Sequence, residues 1–489
     1  MSSQLLDLEP ELVWSHFDGI RKVPRPSKKE EAISEHVLAW AKKKGLPTSR
    51  DGAGNIVVRV PASSGAEGAP TVVLQGHLDM VCEKNAGVDH DFDSDPIEVK
   101  IDGDWVKAEG TTLGADNGLG VACAMAIADD PRAKHGPLEL LFTLDEETGL
   151  TGAAELDGSL LEGRLLLNLD SEEDGIVTIG CAGGADTLAT FSIDRTAPGA
   201  NGSPCRLVVK GLKGGHSGCD IHLNRANALK LGTRVLRQAT LSGIPFEVVS
   251  LQGGSKHNAI PREAFFSLYA GKGAIQDLSS LAARLQSELR IEFAAEDAAL
   301  VLSVEPGSPE PGAKVLAAES ARRILHVLNA LPHGVLSMSR EVEGLVETSN
   351  NLAVVTTEKS TVTVVTSHRS SVMSALLAVQ DSIRSACELA GADITVKDAY
   401  PGWKPDPSSD LLQKTVGVYE TTFGKKPEIQ AIHAGLECGI LLGKLPGCQA
   451  ISFGPDIRGA HSPDERASIP STEKFYRWLT ALLEKLATA

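Results

Sequence analysis

Aromatic side chains make up only 4% of this 489-residue chain, and basic residues are outnumbered, 47 Lys+Arg against 64 Asp+Glu. The net charge of −17 repels phosphate backbones and anionic lipid, so neither nucleic acid nor a membrane surface is an expected partner. No apolar run approaches the roughly 18 residues a membrane helix needs. The eight cysteines (Cys82, Cys123, Cys181, Cys205, Cys219, Cys387, Cys438 and Cys448) form no Cys-x-x-Cys pair. A thiolate metal site and a secreted disulfide framework are therefore both unexpected. The first residues, Met1 to Pro10, lack a basic stretch followed by an apolar core, so no signal peptide is read and a cytoplasmic location is expected.

What is present is the composition of a globular protein, 42% hydrophobic and 23% charged, on a chain too long for one ordinary core. The 48 glycines suit an α/β protein with many tight turns. Residues 10–45 read as helical, with Ser27 a candidate cap for the segment Lys28 to Lys44. Asn55 to Val60 reads as a strand. The run Thr71 to Leu74, between Pro70 and Gly76, reads as a short buried strand. It ends in Gln75-Gly76-His77-Leu78-Asp79. His77 and Asp79 are two apart, so on an extended chain they share a face, and an imidazole beside a carboxylate can be a metal ligand and its orienter. Alone, the pattern is weak, since most such triplets are ordinary hydrogen-bonded polar pairs.

Two further apolar strands, Leu138 to Leu144 and Leu165 to Leu169, end on acidic clusters, Asp145-Glu146-Glu147 and Asp170-Ser171-Glu172-Glu173-Asp174. Asp116 and Asn117 lie where a Gly-rich turn leads into the apolar helix Val121 to Ala128. There Asp116 is as readily an N-cap as a ligand. Adjacent carboxylates at buried strand ends repel unless a cation or shared proton relieves them, although the commoner fate of a Glu-Glu pair is a solvated acidic loop. Sites of open α/β sheets lie at the carboxyl ends of strands, and His, Asp, Glu and Asp at four such positions point to a cation site.

After Gly183-Gly184 the pattern changes, and no strand in the middle part ends on acidic residues. It carries instead Gly214-Gly215-His216-Ser217-Gly218, Lys256-His257-Asn258 and Ser367-His368-Arg369. From about Ala399 the N-terminal pattern resumes, with His433-Ala434-Gly435-Leu436-Glu437 and Gly459-Ala460-His461-Ser462-Pro463. The expected organisation is a catalytic domain from 1–184 and 399–489, with 185–398 inserted.

Taken together, Gly76-His77-Leu78-Asp79, Gly114-Ala115-Asp116-Asn117-Gly118, Asp145-Glu146-Glu147-Thr148-Gly149, Asn168-Leu169-Asp170-Ser171-Glu172 and the His461 segment resemble the M20 di-zinc metallopeptidases. The five ordered motifs span nearly the whole chain, and no metal or base position departs from the family pattern. The resemblance implies a di-zinc exopeptidase-like catalytic domain with a mixed sheet flanked by helices, plus an inserted α+β lid. It implies two Zn²⁺ per chain, with Mn²⁺ or Co²⁺ as substitutes. Asp116 would bridge them, His77 and Asp170 would complete one site, and Glu147 and His461 the other. Asp79 would orient His77, and Glu146 would act as general base. In the lid, His216 would stabilise the oxyanion, while Asn258 and Arg369 would grip the substrate carboxylate, with Gly435 close to the substrate backbone. His216 read without the family is equally a turn histidine, and Arg369 equally a surface arginine.

The implied activity is hydrolysis of small peptides, of the Xaa-His dipeptide type such as β-alanyl-histidine or a broader range, by a chain that could form a homodimer. The metal motifs fit equally a tripeptidase, a carboxypeptidase or an N-acyl amino acid deacylase. A non-catalytic metal-dependent binding protein is the remaining alternative, disfavoured because it would not need Glu146.

Overall fold

The computed structural model describes residues 4–199, 202–307, 312–397 and 399–488. The chain divides into two compact units, one of 1–181, 405–431 and 436–489, the other of 182–404 and 432–435. Residues 432–435 thus join the second unit, although the sequence pattern groups them with the C-terminal part of the first.

The first unit is built on an eight-stranded mixed sheet. Its strands run in the order Thr48–Arg50, Ile56–Val60, Leu138–Thr143, Val72–His77, Leu165–Asn168, Gln449–Ser452, Ile176–Cys181, Glu428–Ile432. The four at its centre, from Leu138–Thr143 to Gln449–Ser452, are parallel, so their carboxyl ends lie at one edge. Continuous apolar runs such as Val72-Val73-Leu74 and Leu140-Leu141-Phe142 are buried throughout, as strands covered on both faces require. The helix Ala115–Asp129 is composed of small apolar residues and is buried along almost its whole length. It packs against the strands Val72–His77 and Leu138–Thr143 and against the helix Glu11–Ile20.

Ser27 does not cap a helix. The helix begins at Glu31, and the Ser27 hydroxyl donates instead to Asp79 (2.7 Å). A cap would use the hydroxyl oxygen as an acceptor for a backbone N–H, whereas here the O–H donates to a buried carboxylate in a charge-assisted bond.

The second unit carries a nine-stranded antiparallel sheet with the helices Ala228–Leu241, Lys272–Glu292, Ala318–Ala330 and Met373–Leu389. Its strands alternate, Ala264–Ala270 being buried at every second residue. That is the pattern of a sheet with one face packed and the other wet. Phe266, Leu268, Leu251 and Val364 from the sheet and Leu229, Leu236, Leu285 and Ile324 from the helices form its core. All eight cysteines are free. Among the described residues no helix is long and apolar enough to cross a membrane.

Candidate active site

In the first unit, parallel register sets His77 opposite Thr143 and Gln75 opposite Asn168. The segments leaving these three strands therefore emerge side by side. Gly76 must be a glycine here, because a Cβ would lie 2.2 Å from Asn117 Oδ1. The Asn117 amide in turn donates to the carbonyl of Leu169 (2.8 Å), tying the Asp116 turn to the Asp170 turn.

Around this edge two ligand groups form. His77 Nε2 lies 3.1 Å from Asp116 Oδ1 and 3.3 Å from Asp170 Oδ1. His461 Nε2 lies 3.2 Å from Asp116 Oδ2 and 3.0 Å from Glu147 Oε2. In each group the ligand atoms are all within 4.8 Å of one another, and Asp116 gives one oxygen to each. Ligands about 2.0–2.1 Å from a tetrahedral cation stand about 3.3 Å apart, close to these separations. Glu146 joins His77 and Glu147 in a third such group.

The electrostatics favour a cation as well. Six carboxylates, Asp116, Glu146, Glu147, Asp170, Glu172 and Glu437, crowd around two imidazoles. Burial pushes Glu146 up to about 8; His77 pulls it back in part, while Glu437, Glu147 and Asp116 add to the rise. Burial likewise lifts Asp170 well above the carboxylate range. Hydrogen bonds to Asp116 and Glu147 raise His461 to about 11. Burial would lower His77, but Asp170 and Asp116 drive it well up. Glu147 Oε1 is buried without a hydrogen-bond partner, a costly state that a coordinated cation relieves. The donor set of imidazole nitrogen and carboxylate oxygen suits Zn²⁺, Mn²⁺ or Co²⁺.

Asp79 lies behind His77, its Oδ1 3.3 Å from His77 Nδ1. It also accepts the backbone N–H of Glu146 (3.0 Å) and of Glu147 (3.2 Å), so it fixes that turn as well as the ring. Burial works to raise Asp79, yet His77, Ser27 and the Glu146 amide together hold it down at about 2.

Sequence reasoning missed the groups that hold these turns. Glu465, 2% exposed, accepts from the backbone amides of Leu113, Gly114, Ala115 and Asp116 at 2.7–3.3 Å. Arg25, also buried, donates to the carbonyls of Leu78 (2.9 Å), Asp79 (2.7 Å) and Gly114. Glu437 Oε2 accepts from Gln75 (2.6 Å) and Thr143 (2.9 Å) beneath the His77 strand. The one sequence signal available was the position of Glu465, four residues beyond His461.

The remaining candidates, His216, Asn258, Arg369 and Gly435, all belong to the second unit. The two-residue strand Gly215–His216 pairs with Ala259–Ile260, and Ser217 N–H donates to the Asn258 carbonyl (2.8 Å), placing His216 and Asn258 together. His216 Nδ1 accepts from the backbone amides of Gly218 (3.2 Å) and Cys219 (3.1 Å). With Nδ1 committed as acceptor, the neutral ring carries its proton on Nε2. Burial, and then the charge of Arg369, keep His216 below its ordinary value and so neutral. Arg369 is buried near the end of the strand Thr361–Ser370, with Nη1 donating to the Tyr400 hydroxyl (3.1 Å).

Comparison with known proteins accords with this geometry. Residues 73–485 match the peptidase family M20/M25/M40. The chain is 42% identical to the cytosol non-specific dipeptidase of Escherichia coli (strain K12) over 484 residues, 99% of each protein. It superposes on the crystal structure of aminoacylhistidine dipeptidase from Vibrio alginolyticus with a TM-score of 0.93 at 44% identity, covering 99% of this chain and 98% of that one. An aminopeptidase from Bacillus cereus shares the fold at 15% identity, with a TM-score of 0.57 over 98% of this chain and 99% of its own. With the match covering most of its length, the chain belongs to peptidase family M20/M25/M40 and is a peptide hydrolase.

Proposed function

We propose that this protein is a cytoplasmic dipeptidase that holds two Zn²⁺ ions and cleaves Xaa-His dipeptides such as β-alanyl-histidine among others. The observation that carries the reading is the pair of three-ligand groups sharing Asp116. The names of the Escherichia coli and Vibrio alginolyticus relatives support a dipeptide substrate.

His77 and Asp170 would hold one ion, Glu147 and His461 the other, with Asp116 between them. When bound, the ions supply a Lewis acid that polarises the scissile carbonyl and lowers the pKa of water. Glu146 lies beside this cluster without being needed by either ligand group. Its carboxylate takes the proton of the attacking water and returns it to the leaving amine nitrogen. Asp79 keeps the Glu146-Glu147 turn in place through its bonds to the two backbone amides and the His77 ring through the Oδ1–Nδ1 contact. His216, already carrying its proton on Nε2, is suited to donate to the carbonyl oxygen as negative charge develops there. Asn258 and Arg369 serve the free carboxylate of the substrate, Arg369 as a planar fork.

The test is hydrolysis of β-alanyl-histidine by purified protein, before and after chelation and with Zn²⁺, Mn²⁺ or Co²⁺ restored, beside a tripeptide and an N-acyl amino acid. Loss on chelation, recovery on restoration and preference for the dipeptide are expected. Turnover indifferent to chelation would refute the reading.

A further inference from the structure

Arg369 lies in a row of cross-strand neighbours, opposite Ser349 on one side and Gly184 on the other. Beyond Gly184 comes Tyr400, which pairs with it through both backbone groups, at 3.0 and 3.2 Å. The Tyr400 ring fills space that glycines leave. A Cβ on Gly184 would stand 2.5 Å from the Tyr400 hydroxyl oxygen and 2.6 Å from the ring. A Cβ on Gly435 would meet the other ring edge at 3.2 Å. Thus Gly184 and Gly435 form a slot for one aromatic side chain, and its hydroxyl engages Arg369 Nη1. On the far side of the row, the Ser349 hydroxyl is paired with His433 Nε2 (2.7 Å). Arg369 Nε is buried and has no partner among the described residues.

A guanidinium has two edges that can grip a carboxylate side-on or end-on. Tyr400 occupies the end bearing Nη1, which leaves the Nε–Nη2 edge to receive two oxygens. We propose that Tyr400, seated in the Gly184–Gly435 slot, is a positioning residue that sets which edge of Arg369 meets the free carboxylate of a peptide substrate. This makes preference for unblocked C-termini depend on a residue that itself does not touch the carboxylate. It rests on the carboxylate role of Arg369 in the proposed function.

The experiment compares Tyr400→Phe, Gly435→Ala and Arg369→Ala in the metal-loaded, full-length enzyme on β-alanyl-histidine and on its C-terminal amide. Tyr400→Phe keeps the ring in the slot and removes only the hydroxyl. KM for the free dipeptide should rise roughly ten- to a hundredfold, as loss of a hydrogen bond to a charged group predicts. KM for the amide and kcat for both should change less than about twofold. Gly435 has no left-handed backbone, and the atoms nearest an added Cβ there are those of the Tyr400 side chain. Gly435→Ala should give the same free-over-amide selectivity loss, reduced in size. If Arg369→Ala lowers the free-over-amide preference but Tyr400→Phe and Gly435→Ala leave it intact, the positioning role is overturned and the role of Arg369 stands. If Arg369→Ala affects both substrates equally, the carboxylate reading falls, and the inference with it.

Discussion

Binding of metal to the ion-free protein should expel protons, and their number follows from the site. His461 is raised from 6.5 to about 11 by its hydrogen bonds to Asp116 and Glu147, and His77 is driven well up despite burial. Near neutral pH both imidazoles therefore carry a proton that a metal ligand cannot keep. Burial also lifts Asp170 and Glu146, so their carboxyls can add to the release. At least two protons should leave as both ions enter. Each proton displaced makes the apparent association constant rise about tenfold per pH unit, so the product of the two constants should climb about a hundredfold or more per unit between about pH 6 and 8. The assay is calorimetric titration of chelated protein with Zn²⁺ in buffers of different ionisation enthalpy, repeated across that range. A release of less than one proton, or affinity flat with pH, would refute this charge arrangement. The sign for the metal-free fold follows from the same shift. Protonated His461 contributes stability that is fully present below about pH 6.5 and is lost as pH rises toward 11. Thermal melts of chelated protein should fall on that side, and metal should remove the trend.

Replacing the shared ligand, Asp116→Ala, should cost both ions and essentially all turnover; two tightly held ions by elemental analysis would move the bridge elsewhere. Glu146→Gln preserves shape and should keep both ions while kcat falls about 10²- to 10⁴-fold; a variant that stays active with one ion lost would mean Glu146 and Glu147 have exchanged roles. His216→Ala should lower kcat about 10²- to 10³-fold with KM less affected and the metals in place. Mixing it with Glu146→Gln chains tells whether His216 serves its own chain: recovered activity would require the histidine to act across a dimer.

What the sequence made legible were residues whose type is unusual for their place. Acidic clusters directly after apolar strands are energetically awkward, and that awkwardness marked the Asp145-Glu146-Glu147 and Asp170-Ser171-Glu172 segments before any geometry was known, while the choice of Asp116, Glu147 and Asp170 as ligands came from the family resemblance. The strands themselves were readable for the same reason, since Val72-Val73-Leu74 and Leu140-Leu141-Phe142 leave a buried sheet little competition. Ser27 went astray because capping is a local rule, whereas its hydroxyl answers a carboxylate 52 residues on. Glu465 and Arg25 were illegible for a deeper reason. Their partners are backbone amides and carbonyls, which every residue possesses, so nothing in the neighbouring side chains announces them. Yet these two decide where Asp116 and His77 can stand. Glu465 gathers four amides of the turn that carries Asp116, and Arg25 joins that turn to the Leu78-Asp79 carbonyls. The segment 461–465 thus supplies both a ligand, His461, and the clamp on the turn carrying the carboxylate which that ligand must meet. Placing ligand and clamp four residues apart on one segment couples their positions. A site that must hold two ions at fixed spacing gains from that coupling, because a shift of the segment carries ligand and bridge together rather than apart.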